Sequence, residues 1–212
     1  DLHGFSRFSN KGNEVAFGII GNASCAEGLF WEAINAIGVL KSPAVISIYD
    51  DGYGISVPNT LQIVKEHLFE VLKGFQRSPD TKAGFDVYLA HGWNYPELVQ
   101  TFRKAASNAR KDHIPAIIHI VDLTQPQGHS TSGSQERYKS SERLAWENEY
   151  DGLNQFRRWI LTQGIATVTQ LDQIEATANQ EAENDRKAAW TAFITPIQEE
   201  RKADVLAATT LN

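Results

Sequence analysis

The sequence predicts an α/β domain: a parallel sheet flanked by helices, with a C-terminal helical extension. Three observations predict it. Continuous apolar runs bounded by Gly or Pro recur at residues 15–21, 44–49 and 116–121, as expected of strands buried on both faces of a parallel sheet. Segments long enough for helices separate them, and strand, crossover helix and strand make a βαβ unit. The end of the chain has no such run, only a long Ala-, Glu- and Gln-rich stretch.

Residues 1–13 are polar and read as an irregular lead-in. After the first strand, residues 26–40 read as a helix whose apolar residues (Leu29, Phe30, Trp31, Ile34, Ile37, Val39, Leu40) cover most of its circumference. A helix of that kind is packed on several sides. Residues 60–75 read as an amphipathic helix, 85–90 as a short strand, and 95–112 as a helix with a basic solvent face at Arg103, Lys104, Arg110 and Lys111. Residues 122–145 are rich in Ser, Thr, Gln and Gly, and loops of that length in compact domains are functional or mobile. Helices follow at 151–162 and 167–193, after which Pro196 is expected to end the helix and leave a charged tail. We divide the chain into residues 1–150, the α/β domain, and 151–212, helices and tail of the same domain. No internal repeat is visible.

Composition narrows the function. The 212 residues are 42% hydrophobic, enough for a real core. The formal charge of −6 argues against a nucleic-acid partner held through phosphate contacts. No apolar run approaches the ~20 residues that cross a bilayer. Cys25 is the only cysteine, so no internal disulfide forms and a reducing compartment, the bacterial cytoplasm, is expected. The chain has no Met and starts at Asp1 without a signal-peptide pattern, so a piece of a longer protein is expected.

Two segments carry the candidate chemistry, Gly21-Asn22-Ala23-Ser24-Cys25-Ala26-Glu27-Gly28 and Asp50-Asp51-Gly52-Tyr53-Gly54. Each leaves a strand at its carboxyl edge, where open α/β sheets bind ligands. Ser24 and Glu27 have the spacing of a capping box, which places a helix start directly after the first strand. Free N–H groups and the dipole at such a start favour an anion such as a diphosphate. Asp51 offers a carboxylate and Asn22 an amide oxygen, hard donors that suit magnesium completed by phosphate oxygens and water. Plainer readings stand beside these. Asp-Gly is a turn signal, and Asn tolerates left-handed loop geometry. Asp50 reads as a bystander, because neighbours leaving a strand point to opposite faces. Cys25 near a helix start reads as a small buried residue rather than an activated thiol. His3, His67, His91, His113 and His119 read as solvated or core histidines.

These residues resemble the alpha subunit of the thiamin-diphosphate-dependent 2-oxoacid dehydrogenases. That family's cofactor motif is a Gly-Asp-Gly or Gly-Glu-Gly triplet followed downstream by Asn-Asn-Gly-Tyr. Here Gly21-Asn22-Ala23 and Asp50-Asp51-Gly52-Tyr53 take those places, with Asn22 and Asp51 29 positions apart. The resemblance implies a thiamin-diphosphate-binding fold, of which this is the diphosphate-binding domain. It implies Mg2+ held by Asn22, Asp51 and the main-chain carbonyl of Tyr53. It also implies cofactor contacts from Gly21, Asn22, Ala23, Ser24, Glu27, Tyr49, Asp51, Tyr53, Ile55 and Ser130. A second match runs from Gly128-His129-Ser130-Thr131-Ser132 to Tyr138-Lys139 and is similar to the family's active-site loop, making His129 the implied catalytic residue. Residues 156–164 and the long helix after them resemble the end of the same subunits. The pattern departs from the family in several places. The amide comes first and the acid second, Tyr49 stands where an Arg precedes the Asn pair, Gly133 replaces the loop Asp, and Gln125 replaces an Arg ahead of the His.

The activity implied is oxidative decarboxylation of a 2-oxo acid, of the branched-chain type by the His-Ser-Thr-Ser loop, with the cofactor as electron sink. The acyl group passes to a lipoyl arm on a partner acyltransferase. The Glu that activates the cofactor in this family belongs to the beta subunit and has no counterpart here. A beta subunit or fused beta half, an oligomeric assembly and a multienzyme complex are therefore expected, with no nucleic-acid or membrane partner. Two other readings stay open: a transketolase-type thiamin-diphosphate enzyme, and a non-catalytic assembly domain that has lost the cofactor. A nicotinamide-binding fold lacks support, because G-x-G-x-x-G is absent after the first strand.

Overall fold

A computed structural model of the chain describes residues 12–80, 83–129 and 134–210. Its elements in order are β1 (Ala16–Gly21), α1 (Gly28–Leu40), β2 (Ala44–Tyr49), β3 (Tyr53–Gly54), β4 (Val57–Pro58), α2 (Leu68–Leu72), β5 (Asp86–His91), α3 (Tyr95–Asp112), β6 (Ala116–Val121), α4 (Ser141–Glu149), α5 (Gly152–Thr162) and α6 (Val168–Thr210). The chain divides into two compact units, Asp1–Arg158 and Trp159–Asn212. Among the described residues no helix is long and apolar enough to cross a membrane.

The first unit holds the sheet, four parallel strands in the order β1-β2-β6-β5, as the apolar runs predict. β2 and β6 occupy the middle, with Val45 opposite Ala116 and Tyr49 opposite Ile120. The crossovers through α1 and through α3 run in opposite directions along the sheet, so right-handed connections place the two helices on opposite faces. The core has two halves accordingly. Phe30 and Ile34 of α1 pack with Ile48, Ile117, Leu68, Leu72 and Phe85. Ala105 and Ala109 of α3 pack with Val45, Ala116, Ile118 and Ile120. Strand alternation sends Ile117 and His119 to the α1 side and Ile118 and Ile120 to the α3 side.

Short polar anchors set the helix ends. The Asn94 side chain accepts from the Glu97 N–H at the start of α3, and Ser140 Oγ accepts from the Arg143 N–H at the start of α4. The helices α1 and α3 end on left-handed Lys41 and His113.

The structure corrects several expectations. β1 is not buried on both faces: Phe17 and Ile19 are 58% and 69% exposed. Their strand has only β2 beside it among the described residues, and i, i+2 neighbours share one face. Leu29, Val39 and Leu40 of α1 are also exposed, since only part of the circumference of that helix is packed among the described residues. The capping box of Ser24 and Glu27 does not form. Residues Ala23–Ala26 make a 3-10 turn, the Glu27 N–H bonds the Ser24 carbonyl, and Glu27 itself becomes the residue before α1, without a side-chain cap bond.

The helix expected at 60–75 is broken. Lys65 and Glu66 both take left-handed φ, 67° and 63°. No α-helix accommodates such angles, and only Leu68–Leu72 is α-helical there. The long polar loop is shorter than expected, because a 3-10 turn at Gln135–Arg137 and then α4 take up its second half. The strand expected at 85–90 runs Asp86–His91. In the second unit, α6 continues through Pro196 to Thr210 instead of ending there. Proline removes one i→i−4 bond, but the Gln-, Glu-, Lys- and Ala-rich residues after it are strong helix formers and carry the helix on.

Candidate functional site

The carboxyl ends of β1, β2 and β6 meet around one cavity of about 690 Å³. Its wall includes Gly21 at the end of β1 with Asn22, Ala23, Ser24 and Glu27 after it, Tyr49 at the end of β2 with Asp51 after it, Tyr53 and Ile55 of the β3–β4 hairpin, and His129 after β6. These are the residues singled out in the sequence, with the exception of Ser130, which lies outside the described residues together with Gly133. Leu123, Thr124 and Gln125 complete the wall beside Gly54 and Gln62.

The sheet ladder itself delivers the two side-chain donors. Beyond the last pair of β1 and β2, the Asn22 N–H bonds the Tyr49 carbonyl at 3.0 Å. Beyond β2, the Asp50 N–H bonds the Ile120 carbonyl at 2.9 Å and the Leu123 N–H bonds the Asp50 carbonyl at 3.2 Å. Strand geometry then turns Asp50 inward and Asp51 to the cavity. The Asp51 carboxylate accepts the Tyr53 N–H at 3.0 Å, an Asx turn that folds the chain back onto the site.

The hairpin ladder does not engage the Tyr53 carbonyl. Tyr53 stands opposite Pro58, which has no N–H, while Gly52 accepts the Asn59 N–H at 3.0 Å. Tyr53 therefore occupies a non-hydrogen-bonded position, and its carbonyl points away from β4. Next to it Ile55, a β-branched residue, takes a left-handed φ of 60° on the cavity wall. Backbone strain of this kind concentrates at functional sites. Gly54 is required by close approach: a Cβ there would lie 2.5 Å from Gln62 Oε1 and 2.7 Å from the Ala23 Cβ.

Charge at the site is graded. Burial pushes the Asp51 carboxyl above its usual range, against the downward pull of the Tyr53 N–H and of Lys139. Burial acts on Asp50 in the same direction, yet bonds from His119, the Gly52 N–H and Asn59 outweigh it and hold that carboxyl below its usual range. The Cys25 thiol is 1% exposed, and burial, aided by the Asp50 charge, pushes it up to about 12. It is an inert core residue, as the plainer reading had it.

A cationic clamp, not foreseen from the sequence, lies behind the hairpin. Arg143 of α4 donates from Nη2 to the Asp51 carbonyl at 2.8 Å and from Nε to Glu147 at 2.7 Å. Lys139 Nζ meets Glu147 at 2.8 Å, and both side chains are almost wholly buried, at 2% and 1% exposed. Lys139 and Arg143 also stand 5.1 Å and 5.6 Å from the Tyr53 ring centre, within cation–π range. The i, i+4 spacing of Arg143 and Glu147 was the visible signal, but the same spacing marks ordinary solvated helix faces.

The donor set fits a magnesium ion that carries a diphosphate. Asn22 and Asp51 supply side-chain oxygens and Tyr53 a carbonyl that its hairpin does not use. A cation there would offset the burial penalty on Asp51. Among the described residues no three His, Cys, Asp or Glu side chains form a metal-ligating group. The set is one amide, one carboxylate and one carbonyl, which suits an ion that keeps several phosphate and water ligands.

The family described as dehydrogenase E1 component matches residues 5–197. The chain is 23% identical over 176 residues to the pyruvate dehydrogenase E1 component subunit alpha of Rickettsia bellii, covering 83% of this chain and 51% of that one. It is 24% identical over 186 residues to the 2-oxoisovalerate dehydrogenase subunit alpha of Bacillus subtilis, covering 86% and 54%. Against the pyruvate dehydrogenase E1 component subunit alpha of Staphylococcus epidermidis the figures are 26% over 198 residues, covering 89% and 50%. The chain thus spans about half the length of these relatives.

Proposed function

From a chain that belongs to the dehydrogenase E1 component family, we propose a part of a thiamin-diphosphate- and magnesium-dependent 2-oxoacid dehydrogenase, the part that binds the metal and diphosphate. The observation that carries the reading is the convergence of three segments, 21–27, 49–55 and 123–129, on one cavity at the carboxyl edge of a parallel sheet. In this proposal Asn22, Asp51 and the Tyr53 carbonyl hold the magnesium. The 3-10 turn after β1 lies against the diphosphate, and Ile55 supplies an apolar wall. When bound, thiamin diphosphate supplies the electron sink for loss of carbon dioxide from a 2-oxo acid. His129, on the same wall, holds a proton at the oxo oxygen of the substrate or of the acyl group on its way to a lipoyl arm. A beta subunit or fused beta half completes the site, and a lipoyl-bearing acyltransferase takes the product.

Titration calorimetry of the full-length protein with Mg2+ and thiamin diphosphate tests this. Saturable binding that Asp51→Ala abolishes is expected. His129→Ala is expected to keep that binding while decarboxylation-coupled acyl transfer falls. Absence of heat with the unaltered protein refutes the reading and favours a domain without cofactor.

A further inference from the structure

Asp50, set aside in the sequence as a bystander, is the fixed end of a hydrogen-bonded chain that reaches the cavity. His119 Nε2 meets Asp50 Oδ2 at 2.8 Å. Asp50 Oδ1 accepts from the Gly52 N–H at 2.8 Å and from Asn59 Nδ2 at 3.0 Å. Asn59 Oδ1 in turn accepts from Asn22 Nδ2 at 2.7 Å. Asp50, His119 and Asn22 are all buried.

The chain has one self-consistent polarity. A main-chain N–H only donates and a carboxylate only accepts, so Asp50 Oδ1 is an acceptor, and Asn59 must turn its NH2 toward it. That leaves Asn59 Oδ1 on the far side, where only a donor fits. Asn22 must therefore turn its own NH2 toward Asn59, which leaves Asn22 Oδ1 for the cavity that this residue lines. A free asparagine amide presents nitrogen or oxygen alike, and only oxygen binds a cation.

We infer that Asn59, held by the Asp50 carboxylate that the Gly52 N–H also engages, is a positioning residue that orients the Asn22 amide with its oxygen toward the bound cation. The inference rests on the proposed magnesium-diphosphate site and adds a specific device to it. Asn59 touches neither cation nor cofactor in this scheme. It acts through Asn22, and its effect is on which atom is presented rather than on where the residue stands.

Calorimetric titration of the full-length protein with Mn2+ and thiamin diphosphate separates this from a packing role. Asn59→Leu keeps the side-chain branching and heavy-atom count and removes both bonds, and an affinity loss of ten-fold or more is expected. Asn22→Asp makes both terminal atoms oxygen, so in the Asn59→Leu background orientation no longer matters and the affinity is expected to return. In the otherwise unaltered protein Asn22→Asp sets a carboxylate against Asn59 Oδ1, and no such gain is expected. The two substitutions are therefore strongly non-additive. Asn59→Leu binding within two-fold of the unaltered protein overturns the inference, as does an Asn22→Asp effect of equal factor in both backgrounds. Failure of the unaltered protein to bind removes the metal-site reading and the inference with it, whereas normal binding with additive variants removes the inference alone.

Discussion

Replacement of Glu147 by Gln tests the clamp behind the hairpin and has a calculable cost. Glu147 is a buried carboxylate on two cations, Lys139 at 2.8 Å and Arg143 at 2.7 Å. The two cations differ in their access to water: the Lys139 side chain is 2% exposed and that of Arg143 28%. Without the carboxylate, Arg143 can swing outward, but Lys139 is left as a buried charge that has lost its bonded carboxylate. Breaking a buried pair in this way costs about 3–5 kcal/mol. For a domain of this size that is a fall in Tm of roughly 6–20 °C. Urea unfolding followed by tryptophan fluorescence measures it directly, with Trp146 placed to report, since Arg143 stands 4.8 Å from its ring centre. The double variant Lys139→Met, Glu147→Leu removes more native contacts yet buries no lone charge, and is expected to be the more stable of the two. A single-variant loss below about 1 kcal/mol, or a double variant less stable than the single one, would refute the reasoning.

Two further outcomes follow from the geometry. Gly54→Ala places a methyl group 2.5 Å from Gln62 Oε1 and 2.7 Å from the Ala23 Cβ. A loss of about 1–3 kcal/mol in thermal denaturation is expected. Adding Gln62→Ala recovers only part of it, because the Ala23 contact stays; full recovery would show that Ala23 yields. Cys25, pushed up to about 12 in the folded protein, stays protonated where the unfolded chain ionises. The folded state then binds more protons than the unfolded one. Stability falls by about 1.4 kcal/mol per pH unit above the ordinary thiol value of about 8.5, until the folded thiol itself titrates. Denaturant midpoints between pH 8 and 11 should show a shallower decline in Cys25→Ala than in the unaltered protein, and parallel declines would contradict the assignment.

What was legible in the sequence divides along local and non-local lines. The parallel sheet could be read because three of its four strands are continuous apolar runs. The cavity wall could be read because Gly21–Glu27 and Asp50–Tyr53 directly follow strands, and strand ends converge in a parallel sheet. Burial of β1 could not be read. An apolar run reports what a strand can bury, and whether Phe17 and Ile19 are covered depends on neighbours that the run does not encode. The helix at 60–75 misled because apolar spacing is blind to φ, and Lys65 and Glu66 adopt left-handed backbone despite ordinary side chains. Ser24 and Glu27 matched a cap pattern whose register the 3-10 turn had already taken up. Pro196 weakens a helix by one bond, which the helix formers beyond it outweigh. The Lys139–Glu147 pair joins a loop residue to a helix residue eight positions on, a contact that no periodicity announces.

The exchanged acid and amide at positions 22 and 51 need not be two separate departures from the family's order. With the Gly52 N–H and Asn59 both donating to Asp50, the side of residue 22 that faces Asn59 must donate. Aspartate at 22 has no donor to give and would oppose the Asn59 oxygen at hydrogen-bonding distance in a buried setting, an arrangement that costs more than a lost bond. Asparagine satisfies the same position and still has an oxygen left over. The carboxylate that a magnesium-diphosphate pair calls for is then best supplied from a position outside the chain of bonds. Asp51 is such a position: it points away from Asp50, and its carboxylate is engaged by the Tyr53 N–H two residues on. In the proposed site the acid at 51 and the amide at 22 are thus both consequences of the acid at 50, and substitution at 50 or 59 should be felt at the cation before it is felt anywhere else in the fold.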